Sequence, residues 1–123
     1  MIVEQRTYSI KIGKIPEYLK AVETLGLPVM LTVQGGLIGY YTTEMGTVSE
    51  IVHLWAYDSL EDRAERRKRA AAHPDWPKFL AAVQPLIDRM ETRILVPAAF
   101  SPLGLEAVRN MNKSAAAARG HRS

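Results

Sequence analysis

Glu50-Ile51-Val52-His53-Leu54-Trp55-Ala56-Tyr57-Asp58-Ser59-Leu60 is the stretch that decides the fold. β-Branched and aromatic residues fill it up to Tyr57, which predicts a strand over about 49–57. Asp58 or Ser59 then supplies the short polar side chain that opens a helix. Successive side chains of a strand point to opposite faces, so Ile51, His53, Trp55 and Tyr57 form one comb and Val52, Leu54 and Ala56 the other. Both combs are largely apolar, so both faces are expected to be covered. Just upstream, Leu37 to Glu44 predicts a further strand, and Met45-Gly46-Thr47 turns the chain between the two. So short a connection makes them an antiparallel hairpin.

Working outward, Ile2 to Ile10 mixes β-branched, aromatic and polar residues and predicts a first strand. After a turn at Gly13, Pro16 suits the first turn of a helix that repeats Tyr18, Leu19, Val22 and Leu25 on one face. Gly26 is expected to cap that helix and Pro28 to stop it, leaving Thr32 to Gly36 irregular. Beyond the hairpin, the helix after Ser59 is very polar, with Leu60, Ala64, Arg67 and Ala71 as a thin inner face. His73-Pro74 ends it. A third helix starts at Asp75 with the stripe Trp76, Phe79, Leu80, Val83, Leu86, Ile87 and Met90. Pro85 is expected to kink or end it, and a last strand is predicted over about 91–98.

The order β–α–β–β–α(α)–β is that of a ferredoxin-like α+β domain, a four-stranded antiparallel sheet with helices on one face. Residues 1–103 form this domain. Residues 104–123 read as a basic, flexible tail. Since the helices cover one face only, Ile51, Trp55 and Tyr57 are expected on the other. Burying each such side chain stabilises by roughly 1.5–3 kcal/mol, and an exposed apolar face of that kind marks an interaction surface. The expected partner is a second copy, packed sheet against sheet about a two-fold axis to enclose a barrel-like interior.

The chain has 123 residues, a net charge of +3 and no cysteine, which excludes disulfides, thiolate nucleophiles and iron–sulfur clusters. The whole excess charge sits after Leu103, where Arg109, Lys113, Arg119 and Arg122 face a single acid, Glu106. A neutral body is not the footprint of a nucleic-acid domain, so no nucleic acid is expected as partner. The uncharged run Leu25 to Thr43 holds four glycines and a proline and makes a poor membrane span. With no signal-like opening, a cytoplasmic location is expected. Histidines and carboxylates lack metal-ligand spacing, and no metal or cofactor is expected.

Arg6 and Tyr8 alternate with Glu4 on the first strand, and in this topology that strand lies beside the His53–Trp55–Tyr57 comb. With Tyr41, they are expected to line one pocket in the barrel interior, apolar with a few converging polar groups. His53 could act as acid or base there, and Arg6 could hold a carboxylate or an oxyanion. The competing reading is a satisfied polar network at a dimer interface. Arg67, on the thin inner face of its helix, is expected to turn inward toward a buried acid such as Glu50.

These segments resemble the NIPSNAP family. The resemblance runs through Glu4-Gln5-Arg6-Thr7-Tyr8, Gly13-Lys14, Gly39 to Gly46, Glu50 to Leu60 with Asp62-Arg63 and Arg66-Arg67, and Arg93-Ile94-Leu95 through Pro97 to Phe100-Ser101-Pro102-Leu103. It covers about residues 2–103, and Arg63 and Arg67 fall on matching positions. It implies a dimeric α+β barrel of ferredoxin-like protomers and no settled activity. Three functions stand open: a homodimer binding a small molecule in its interior, a cofactor-independent monooxygenase-like enzyme of the same barrel type, and a structural or adaptor dimer with a packed interior.

Overall fold

A computed structural model describes residues 1–120. Its strands are β1 (Ile2–Ile10), β2 (Leu37–Thr42), β3 (Glu50–Tyr57) and β4 (Ile87–Leu95), joined in the order β2-β3-β1-β4 with every neighbouring pair antiparallel. This is the ferredoxin-like sheet that the element order predicts. The hairpin is anchored at Ser49, whose backbone takes a left-handed φ of 62° while its hydroxyl donates to the Ile10 carbonyl at 2.6 Å.

The first helical segment runs further than expected. α1 (Ile15–Ala21) passes into a π turn (Val22–Gly26), α2 (Leu27–Val29) and a second π turn (Met30–Gln34). Pro28 does not stop it, because each π turn reroutes backbone hydrogen bonds and the proline's missing donor falls at the start of the short α2. Gly26 is not the cap. It lies against the Phe79 ring, so close that a Cβ there would sit 2.8 Å from a ring carbon. The left-handed cap is Gly35, at φ 68°, whose N–H donates to the Met30 carbonyl.

α3 (Leu60–Ala71) starts as predicted, with the Ser59 hydroxyl accepting from the Asp62 N–H at 3.0 Å. Its inner face is offset from the predicted one: Ala70 is buried and Leu60 is 56% exposed. α4 (Trp76–Val83) ends in a single 3-10 turn (Gln84–Leu86) at Pro85, so β4 begins four residues before its predicted start. Leu86 and Ile87 therefore close the core from a turn and a strand rather than from a helix.

The comb on β3 faces the helices. Ile51, Trp55 and Tyr57 are buried in one core with Tyr8, Tyr18, Val22, Phe79 and Val83. This corrects the expectation that they face a second copy. Because both combs are apolar, alternation alone does not choose between faces. The bulkier comb goes beneath the helices, where it meets the Tyr18–Val22 and Phe79–Val83 stripes and removes more apolar area from water. The open face carries the smaller set: Val52 and Leu54, half-buried, with Val3 and Thr7 of β1 beside them.

Residues 105–120 are also not a free tail. They form α5 (Leu105–Gly120), with Val108 and Asn112 buried. Asn112 accepts from the Leu37 N–H at 3.1 Å and donates to the Leu37 carbonyl at 2.9 Å, closing backbone groups at the outer edge of the sheet. Arg109 bonds Asp62, and Arg119 donates to the Glu23 carbonyl. The last three residues of the expected tail, 121–123, lie outside the described residues. Among the described residues no helix is long and apolar enough to cross a membrane.

Candidate functional site

β1 and β3 are paired so that Arg6 lies opposite His53 and Glu4 opposite Trp55. All four side chains point toward the helices. Above them the sheet and the helical layer leave a cavity of about 290 Å³, reached by Arg6, Tyr8, Tyr18, Tyr40, His53 and Arg67 on its polar side and by Trp55, Trp76, Phe79, Leu80, Val83 and Met90 on its apolar side. The cavity is therefore lined by residues of a single chain. This departs from the sequence expectation of a pocket shared between two sheets, for the reason already given: the comb that lines it faces inward.

His53 lies at the centre of the polar side and is 3% exposed. The Trp55 indole donates to its Nδ1 at 2.7 Å. An indole N–H can only donate, so Nδ1 is the bare acceptor and the ring proton sits on Nε2. Nε2 is buried and has no hydrogen-bond partner among the described residues. The ring is fixed in place, stacked on Tyr40 at 4.3 Å between centroids and edge-on to Tyr8 at 4.8 Å. Burial, with the nearby Arg6 charge adding to it, pulls the imidazole down from 6.5 to about 3. His53 is thus a neutral, rigid and unsatisfied donor at neutral pH.

Next to it, Glu4 is 0% exposed. Its Oε2 accepts from Arg63 at 2.7 Å, from the Thr92 hydroxyl at 2.7 Å and from Arg6 at 3.3 Å. Burial works to raise its pKa, but the Arg63 and Thr92 hydrogen bonds and the two guanidinium charges outweigh it and hold the group at about 2. Arg6 in turn donates from Nε to the Tyr8 hydroxyl at 2.7 Å. Tyr18 and Tyr40 share a 2.7 Å hydroxyl hydrogen bond, and burial pushes both phenols upward. Burial and the Glu4 charge raise Tyr57 to about 12.

Of the expected site residues, Arg6, Tyr8, His53, Trp55 and Tyr57 converge on this cavity, and Arg67 joins them. Tyr41 does not. It lies opposite Val52 on the outer face, 49% exposed, with its phenol over Gly39. A bulge between Leu37 and Gly39 shifts the register of β2, so Tyr40 faces His53 instead. Glu50 is also elsewhere, accepting from the Thr43 hydroxyl at 3.1 Å at the hairpin end. The buried acid is Glu4, and the arginine that meets it is Arg63. Sequence reasoning left Tyr18, Gln34 and Tyr40 out of the site. Tyr18 and Tyr40 come from separate elements that only the folded chain brings together. Among the described residues no group of three or more His, Asp or Glu side chains could hold a metal ion.

A ferredoxin-like α+β protomer with a polar-and-aromatic cavity under its helices is the class that this geometry defines. The NIPSNAP family model matches residues 3–102, and the chain belongs to that family. It is 49% identical to a NIPSNAP family protein with unknown function from Agrobacterium tumefaciens, whose crystal structure superposes with a TM-score of 0.80 over 85% of this chain and 94% of that one. It is 35% identical over 98 residues to the protein NipSnap homolog 3A of Homo sapiens, covering 76% of this chain and 39% of that protein. The chain thus spans well under half of that curated relative. A putative antibiotic biosynthesis monooxygenase from Nitrosomonas europaea superposes with a TM-score of 0.59 at 13% identity, over 81% of this chain and 100% of that one. At that identity the likeness is one of fold alone.

Proposed function

We propose that this NIPSNAP protein binds a small, flat molecule in the cavity between sheet and helices, with an acceptor atom of that molecule on His53 Nε2. The observation that carries the reading is the buried Nε2–H with no partner. A buried donor left unmade costs about 1–3 kcal/mol, and here it sits at the wall of a cavity lined by flat aromatic side chains. A neutral imidazole with so low a pKa is a weak general base at neutral pH. It is well suited to donating a fixed hydrogen bond, which favours binding over the monooxygenase-like reading. We further propose that the protein works as a homodimer through the open face around Val3, Val52 and Leu54, the one apolar sheet surface that the helices leave uncovered.

The test is a thermal-shift screen of flat carbonyl- and carboxyl-bearing fragments against the native protein and His53→Phe, which keeps a ring of similar shape and removes the donor. Fragments that raise Tm in the native protein are expected to lose most of that effect in His53→Phe. Equal shifts in both proteins would remove His53 from the site.

A further inference from the structure

The cavity over His53 is one of two adjoining hollows. A second, of about 460 Å³, lies along α3 and is lined by Arg63, Arg67 and Lys68, by alanines of α3, and by Gln34 and Trp76. Gln34, Arg67 and Trp76 wall both hollows, so Arg67 stands at their junction. No carboxylate lines either one. The nearest buried acid, Glu4, is already engaged through Oε2 by Arg63, Arg6 and Thr92.

Around the junction, then, Arg6, Arg63 and Arg67 bring three positive charges against one negative. Arg67 is the one left over. Among the described residues none forms a hydrogen bond or ion pair with it. Two almost fully buried polar side chains that line the same cavity carry an atom without a partner among the described residues: His53 at Nε2, and Gln34 at Oε1, with the Gln34 side chain beside the Tyr57 hydroxyl. A half-buried guanidinium without an ion pair is free to take an anion in place of its water, and its planar fork fits two oxygens of one acid group. The apolar side of the inner hollow is flat and aromatic and can take a ring. An engineered apolar cavity of about 150 Å³ is enough for benzene.

We infer that the ligand is a compact aromatic acid, its ring among Trp55, Trp76 and Phe79 and its anionic oxygens shared between Arg67, at the junction of the two hollows, and the Nε2–H of His53. The inference rests on the binding reading above and adds the charge of the ligand and the residue that selects it. The second hollow adds Arg63 and Lys68 to the positive charge that an acid group meets near the junction. Neutral rings of the same shape fit the inner hollow but leave Arg67 unpaired.

The experiment is a calorimetric titration of the native protein with benzoate, phenyl phosphate and benzamide, repeated with Arg67→Gln and Arg67→Lys and followed in parallel by the ring resonances of His53. Benzoate or phenyl phosphate is expected to bind at least ten-fold tighter than benzamide. Arg67→Gln should erase that preference while leaving benzamide unchanged, and Arg67→Lys should keep part of it. Whichever acid binds more tightly identifies the head group as carboxylate or phosphate. If benzamide binds the native protein as tightly as both acids, the anion inference fails and the cavity reading stands. If the acids keep their preference in Arg67→Gln, the selecting residue is misassigned. If none of the three probes moves the His53 resonances, the inference and the binding reading fail together.

Discussion

Glu4 and His53 lie diagonally across adjacent strands of one sheet, both beneath the same helices and both almost free of solvent. One is tied down and the other is not. Glu4 keeps its charge because two guanidinium groups and a hydroxyl converge on a single oxygen. His53 gives up its charge, accepts one hydrogen bond from Trp55 and keeps an Nε2 proton with no partner among the described residues, beside a cavity that its ring lines. The contrast shows how one sheet surface separates structural work from recognition. Glu4, bonded through Oε2 to Arg63, Arg6 and Thr92 while its Oε1 has no partner among the described residues, holds β1 to α3 and β4. A group that is rigid but unmet is left for something that arrives from outside.

The largest effect that sharpens this contrast is expected from Glu4→Gln. It leaves Arg63 and Arg6 without their carboxylate in a buried place, and breaking such a pair costs about 3–5 kcal/mol. Urea unfolding would show it, and a loss below about 1 kcal/mol would mean that Glu4 is not a structural tie.

Acid comes next. The folded-state pKa of His53 lies near 3 against 6.5, so between those values the unfolded chain binds a proton that the folded chain refuses. Stability therefore falls as pH drops from 6.5 toward 3, by about 1.4 kcal/mol per unit where the difference is complete. Glu4, with a folded-state pKa of about 2 against 4.5, adds its own loss as pH falls from 4.5 toward 2. In His53→Phe the slope between pH 6.5 and 4.5 should largely vanish. An unchanged slope would assign the acid sensitivity to other groups.

His53→Phe at neutral pH is a smaller perturbation, a net loss of at most about 1–3 kcal/mol, because it strips the neutral Trp55 indole N–H of its acceptor while also removing the unpartnered Nε2–H. A loss in urea as large as that of Glu4→Gln would erase the contrast between the two residues. Asn112→Ala, far from both, is expected to cost a similar 1–3 kcal/mol by unpairing Leu37 at the sheet edge. Its hydrogen-exchange signature should be faster exchange along β2 with β1 unaffected.

Much of this was legible in the sequence. The Glu50–Leu60 stretch gave the strand, the helix start at Ser59 and the ferredoxin-like order. Arg6, Tyr8, His53, Trp55 and Tyr57 were correctly gathered on one surface by period-2 alternation. Alternation could not say which surface the helices cover, since Val52 and Leu54 are apolar as well. Tyr40 rather than Tyr41 faces the cavity because a single bulged residue reverses every position after it; Gly39, a glycine inside a strand, is the local sign of that bulge but does not fix its register. Glu4 rather than Glu50 is the buried acid because the acid that meets an arginine is chosen by how α3 packs over β1, across 59 positions of chain. α5 looked like a solvated tail because its few apolar contacts come from isolated positions, Val108 among alanines and charges. Its main anchor is a polar residue, Asn112, which hydropathy patterning does not register.

The most direct measurement is a nitrogen–proton correlation spectrum of the His53 ring followed from pH 7.5 to 4.5, with and without benzoate. A neutral ring protonated on Nε2 is expected throughout, with an Nε2–H resonance that moves when benzoate is added. A ring that charges near pH 6.5, or carries its proton on Nδ1, would contradict it.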